Sequence, residues 1–176
     1  GPEMCIRDRI IHGASGSAGE IGHTTIDFTG RRCACGNYGC LEAYASGPNI
    51  AARAREGLEA GYKSMLVQLV DGDLDQITAI TVYDALVQGD DYAHEVMLET
   101  AKILGAGIAN LVNTFNPEIV VIVGGVTRSG DHLFGPLRSE VRRRAFKSAV
   151  DACQIVPGEL TPVSYTHLTL PTSDLE

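Results

Sequence analysis

The sequence predicts an α/β domain, on two observations. From Tyr92 onward, Val96, Met97, Thr100, Ala101, Leu104, Ile108, Ala109 and Val112 recur at steps of three and four residues, the period of one buried helix face. An unbroken aliphatic run, Ile119 to Val123, follows at strand length, as expected of a buried parallel strand. Asn116-Pro117 stops the helix and Gly124-Gly125 ends the strand. Helix, apolar strand, glycine turn and helix in succession is the pattern of layered α/β packing.

The remaining elements follow in chain order. Ile10 to Gly22 is rich in Gly, Ala and Ser, which lets backbone approach a ligand or a neighbouring strand closely. A loop from His23 to Cys40 comes next. Leu41 to Ala45 starts a helix that Ser46-Gly47-Pro48 breaks, and Ile50 to Leu58 has helical spacing ending near Gly57 or Gly61. Met65, Leu66, Leu69 and Val70 suggest a short amphipathic helix before an acidic loop. Thr81 to Val87 reads as a helix closed by Gly89. Gly105 and Gly107 inside the long periodic helix imply close packing against a neighbour rather than a break. Gly135-Pro136 precedes a last predicted helix, Leu137 to Phe146.

The formal charge of −8 argues against a nucleic-acid surface, which needs a basic stripe. The one basic run, Arg142-Arg143-Arg144, reads as a solvated helix face. No apolar stretch reaches the length of a membrane span and no signal peptide opens the chain.

The most informative run is Glu20-Ile-Gly-His23, then Cys33-Ala-Cys35-Gly36-Asn-Tyr-Gly39-Cys40-Leu-Glu42. One imidazole and three thiols make a complete tetrahedral ligand set for zinc, with Glu20 and Glu42 as spare carboxylates beside it. The alternatives are a disulfide with a free thiol, or ordinary core cysteines. Cys33 and Cys35 stand too near each other in sequence for a relaxed mutual disulfide. Clustered thiolate ligands suit a reducing compartment, so a cytoplasmic location is expected. Cys153 reads as a small buried hydrophobe.

The two ends mirror one another at the level of codons. Met4-Cys5-Ile6-Arg7-Asp8 can be written ATG TGT ATA AGA GAC, whose reverse complement translates as Val-Ser-Tyr-Thr-His, the peptide at Val163 to His167. The element resembles a transposase adapter translated at both ends. Residues 1–9 and 162–176 are therefore expected to be non-native tails, with residues 10–161 the natural segment, cut from a longer gene. Cys5 and His167 then have no functional claim.

With these residues in view, the segment resembles the ROK family, which groups bacterial sugar kinases with sugar-responsive repressors. The resemblance lies in Gly13 to His23 with Cys33 through Ser46, and in Asn116-Pro117-Glu118-Ile-Val-Val-Ile-Val-Gly124-Gly125-Val126. It implies an actin-like ATPase (ribonuclease H-like) fold, of which this chain covers most of the C-terminal domain. It implies a structural zinc on His23, Cys33, Cys35 and Cys40, with the second nitrogen of His23 turned toward a sugar. Glu20 and Glu42 would accept hydrogen bonds from sugar hydroxyls. Glu42 could instead favour a helix start through its dipole, and Glu20 could brace the loop. Gly124, Gly125 and Val126 would contact the nucleotide, or form an ordinary strand-to-helix turn. The family often carries a third glycine where Val123 stands.

The implied activity is transfer of the ATP γ-phosphate to a hexose, glucose first, with Mg²⁺ on the phosphates; the whole protein would be a homo-oligomer. The other implied class is a sugar-sensing repressor, whose helix-turn-helix would precede this segment. The family's Asp-x-Gly-Gly-Thr loop, Asn-Asp motif and Gly-Thr-Gly turn do not occur in the chain. No catalytic residue is therefore assigned, and the chain alone is expected to be an inactive, zinc-stabilised half-domain.

Overall fold

A computed structural model describes residues 4–6 and 9–158. The expected tail at 162–176, His167 included, lies outside them. Of the expected tail at 1–9, β1 (Cys5–Ile6) pairs antiparallel with β2 (Arg9–Ile10), both exposed.

The first helical layer grows from the loop's end. Helix α1 (Glu42–Ala45) stops at Ser46, whose extended backbone redirects the chain into α2 (Gly47–Glu59). Gly47-Pro48 is thus the first turn of α2 and not a gap, since proline loses nothing where a helix has no earlier carbonyl to bond. Helix α3 (Leu66–Leu69) lies where the four apolar residues place it. Helix α4 (Ala79–Val87) opens on a reciprocal capping box between Thr78 and Thr81.

Helix α5 (Asp91–Phe115) is the axis of the molecule. Asp90 caps it by accepting from Ala93 N–H at 2.7 Å, and the same carboxylate accepts from Met65 N–H and the Ser64 hydroxyl. Asn116 ends it in the left-handed region at φ 46°. Gly105 packs on α6 (Asp131–Arg144) and Gly107 on Leu41, so both glycines mark close approach. One core joins Ile50, Leu66, Val82, Met97, Val112, Leu133 and Leu137.

Strand β3 (Ile119–Ile122) pairs in parallel with β4 (Gln154–Pro157), in register Ile119 to Gln154. The expectation of a strand buried on both sides fails. Val120 and Ile122 face the core, whereas Ile119, Val121 and Val123 are about half exposed. A parallel strand is covered on both faces only where helices lie on both, and here they lie on one.

The last predicted helix is corrected as well. Helix α6 begins at Asp131, with Pro136 inside it, because Leu133 and Phe134 bury the first turn. It ends at Arg144, and α7 (Lys147–Ala152) leads to β4. The arginine run is mostly solvated, but Arg143 and Arg144 both pair with the nearly buried Glu140. Cys153 is half-buried, and burial raises its thiol's pKa.

Hydrogen bonds from Arg143, and then Arg144, hold the Glu140 carboxyl below its ordinary 4.5, against the opposing effect of burial. A lowered folded value means the carboxylate stabilises the fold above the unfolded pKa, and that contribution is lost as pH falls through the folded one. Glu140→Gln is expected to cost about 1–2 kcal/mol at pH 7 in urea unfolding, with the difference from wild type closing as pH falls through the lowered folded pKa.

Candidate metal centre and sugar-facing loop

The loop is built as two short backbone pairings with a link between them. Residues 24–26 run antiparallel to 39–41, through Leu41 N–H to Thr24 O at 3.0 Å and Ile26 N–H to Gly39 O at 2.8 Å. This pairing brings His23 beside Cys40 and Glu42. A tighter knuckle, closed by Cys33 N–H to Asn37 O at 2.8 Å and a bridge between Arg32 and Tyr38, presents Cys33 and Cys35.

The four expected ligands converge. One donor atom from each of His23, Cys33, Cys35 and Cys40 lies within 4.8 Å of every other. Cys35 Sγ and Cys40 Sγ are 3.7 Å apart, and Cys33 Sγ is 3.7 Å from His23 Nδ1. Zinc–sulfur bonds of about 2.3 Å at tetrahedral angles place neighbouring sulfurs about 3.8 Å apart, and sulfur and nitrogen about 3.6 Å apart. The donor set therefore fits zinc in both chemistry and spacing. The disulfide alternative is not what the structure holds, since all of the described cysteines are free.

The thiols differ electrically. Cys35 is exposed; the Asn37 N–H and the neighbouring Cys33 thiol lower it to about 7. Cys40 is fully buried, and desolvation together with Cys35 and Cys33 pushes it up to about 12. Several thiolates in one pocket repel each other, which is the condition a divalent cation relieves.

His23 divides its ring between two environments. Nδ1 faces the thiols, and Nε2 lies 3.7 Å from Glu42 Oε2, with both side chains more than a third exposed. Glu42 is the first residue of α1, and its backbone carbonyl accepts from Asn49 Nδ2 at 2.9 Å. Glu20 immediately precedes the 3-10 turn Ile21–His23, is exposed, and its side chain caps nothing. His23 and Glu42 thus meet at the solvent-facing side of the loop, and Glu20 stands exposed three residues before His23.

Gly124, Gly125 and Val126 sit elsewhere. Gly124 has φ 108°, a conformation that favours glycine, and open space where a Cβ would project. Gly125 starts a 3-10 turn to Ser129 that packs against α4 and α6, whereas the metal loop rests on α1, α2 and α5.

The residues that sequence reasoning missed are those bracing the loop. Arg31 makes a two-pronged pair with Glu56 of α2, 2.6 Å at each contact. Arg53, nearly buried, donates to Tyr44 O at 3.1 Å and to the Thr100 hydroxyl at 2.9 Å, and pairs with Glu99. Their partners lie 9 to 47 residues away, so no local spacing announces them.

Comparison with known proteins places these features in context. A family model described as the ROK family matches residues 1–162. A glucokinase of Thermotoga maritima is 37% identical over 151 residues, covering 86% of this chain and 47% of that protein. A xylose repressor of Caldicellulosiruptor bescii is 35% identical, covering 83% of this chain and 36% of that protein. The structure of a ROK family glucokinase from Streptomyces griseus in complex with glucose and AMPPNP superposes with a TM-score of 0.77 at 31% identity. That match covers 88% of this chain and 50% of that one. The chain therefore spans half or less of each of these proteins. Among the described residues, no helix is long and apolar enough to cross a membrane.

Proposed function

The chain belongs to the ROK family, and on that premise we propose that it forms the sugar-facing side of an ATP-dependent hexose kinase acting on glucose. In the part it spans, the fold is the actin-like ATPase fold of ROK sugar kinases. The relatives include glucokinases and sugar-linked repressors, and a sugar-binding wall serves either.

The observation that carries the reading is the divided imidazole of His23, one nitrogen on the thiol cluster and the other beside Glu42. Zinc, when bound, supplies the cation that fixes the ring as its Nε2–H tautomer. His23 then donates from Nε2 to a sugar hydroxyl, while Glu42 and Glu20 accept from others; ionised acceptors make the shorter, stronger bonds. The kinase side of the reading rests on Gly124, whose bare, open turn leaves room for the nucleotide beside Gly125 and Val126. No catalytic base is assigned to this chain. In the whole protein, ATP arrives with Mg²⁺, and the setting is the reducing cytoplasm that the thiol ligands require. Homo-oligomerisation belongs to that whole protein too, and residues 10–161 are its native portion.

Glucose titration of the zinc-loaded chain tests the sugar wall. Glu42→Gln and Glu20→Gln are each expected to weaken binding by about tenfold or more, the worth of a hydrogen bond to a charged group. Unchanged affinity in both variants rejects it. Coupled ATP turnover by the whole protein decides between classes: turnover with glucose supports the kinase, and sugar-dependent release from DNA without turnover supports the repressor.

A further inference from the structure

We propose that Tyr44 is a positioning residue for the metal site, its hydroxyl setting the distance between the two ligand-bearing halves of the loop. The proposal rests on the reading of that loop as a zinc site.

The hydroxyl sits at a junction. It accepts from Arg31 N–H at 2.9 Å and donates to Asp27 Oδ2 at 3.2 Å. The other oxygen of Asp27 accepts from the Thr29 N–H at 3.1 Å and the Thr29 hydroxyl at 2.9 Å. Residues 27 and 31 are the two ends of the link between the pairing that carries His23 and Cys40 and the knuckle that carries Cys33 and Cys35. One phenol therefore clamps both ends of the link.

The chain makes room for this clamp. A Cβ on Gly30 would land on the Tyr44 hydroxyl, and one on Gly39 would land on the Asp27 carbonyl. The ring is braced from behind. It packs on the small buried cluster of Cys33, Cys40 and Ala43, and its own carbonyl accepts from Arg53, which α5 holds through Thr100. The position of the knuckle is thus referred, through one side chain, to the core helix. Four ligands that must meet within a few ångströms bind more tightly when a clamp stabilises the one loop conformation that brings them together.

A tyrosine that only stabilised the helices, which persist with or without metal, would lower the stability of metal-free and zinc-loaded chain equally, leaving metal affinity unchanged. A positioning tyrosine changes the difference. Zinc affinity is read by competition against a chromophoric chelator, and geometry from the visible spectrum of the cobalt(II)-substituted chain. Tyr44→Phe is expected to weaken zinc about tenfold or more and to alter the cobalt bands. Asp27→Asn keeps an oxygen for the hydroxyl and should retain most of the affinity. Asp27→Ala should match Tyr44→Phe, and the double variant should be no worse than either alone. Because Asp27 is exposed, that series answers even if Tyr44→Phe folds poorly. Wild-type affinity and spectrum in Tyr44→Phe or Asp27→Ala overturn the proposal while the zinc reading stands; a wild-type chain that takes no zinc overturns both.

Discussion

Stripping the metal with a chelator is expected to unfold residues 24–41 while helices α2, α4, α5 and α6 persist. The reason is the division of the buried side chains. The main core holds the helices and β strands, whereas the buried apolar side chains of the loop are Cys33 and Cys40, set against Ala43 and Tyr44 of α1, and Leu41 against α5. Two thiols and one leucine release little apolar area, nowhere near enough to order some eighteen residues at about 1–2 kcal/mol each of backbone entropy. Ligation must make up the deficit, and structural zinc sites deliver roughly 10–16 kcal/mol. Hydrogen exchange of loaded and chelated chain should show amides in 24–41 losing protection by at least about a hundredfold, with the centre of α5 unchanged. Cys40→Ser should reproduce the pattern without chelator. Equal loss of protection along the whole chain, or none in the loop, rejects the division into two cores.

Gly105→Val should be the most damaging substitution outside the metal site. A Cβ there would stand 2.8 Å from Glu140 Cβ and 2.8 Å from Leu137 O. The second neighbour is helix backbone and cannot turn aside, so α5 and α6 must separate along their whole shared face. Leaving glycine for a better helix former returns less than 1 kcal/mol, against an overpacking cost of about 3 kcal/mol or more. The midpoint of urea unfolding should fall accordingly, by more than for Gly107→Ala. There the neighbour is the end of the Leu41 side chain, which can change rotamer. Equal midpoints for Gly105→Val and wild type would show that the helices do not meet as described.

The Cys3His cluster and α5 were legible in the sequence because each is a local pattern. Cys33, Cys35 and Cys40 lie within eight residues, and the buried stripe of α5 repeats at fixed steps. The beginning of α6 was hidden by Gly135-Pro136, which locally signals a stop. Burial of Leu133 and Phe134 outweighs that signal, a tertiary effect with no trace in spacing. Strand β4 has only four residues and a proline, too short for a period to declare itself. Tyr44, Asp27 and Arg53 were invisible for a further reason. Their contacts to one another, to Arg31 and to Thr100 join positions 9 to 47 residues apart, and nothing in a tyrosine's neighbours says what its hydroxyl will meet.

The bare face of Gly107 has a mechanical consequence. Leu41 immediately follows the last thiol, and its methyl groups rest where a side chain on α5 would otherwise stand. Helix α5 is a rod of 25 residues, about 37 Å long, whose far end turns through Asn116 into β3 and the Gly124 bend. A close-packed contact passes on whatever displacement a rotamer change does not absorb. In the proposed reading, movement of the loop is thus delivered to the shaft of a lever whose tip leads into β3 and the Gly124 bend. On that reading, a kinase and a repressor differ in the machinery joined to the lever and not in the loop.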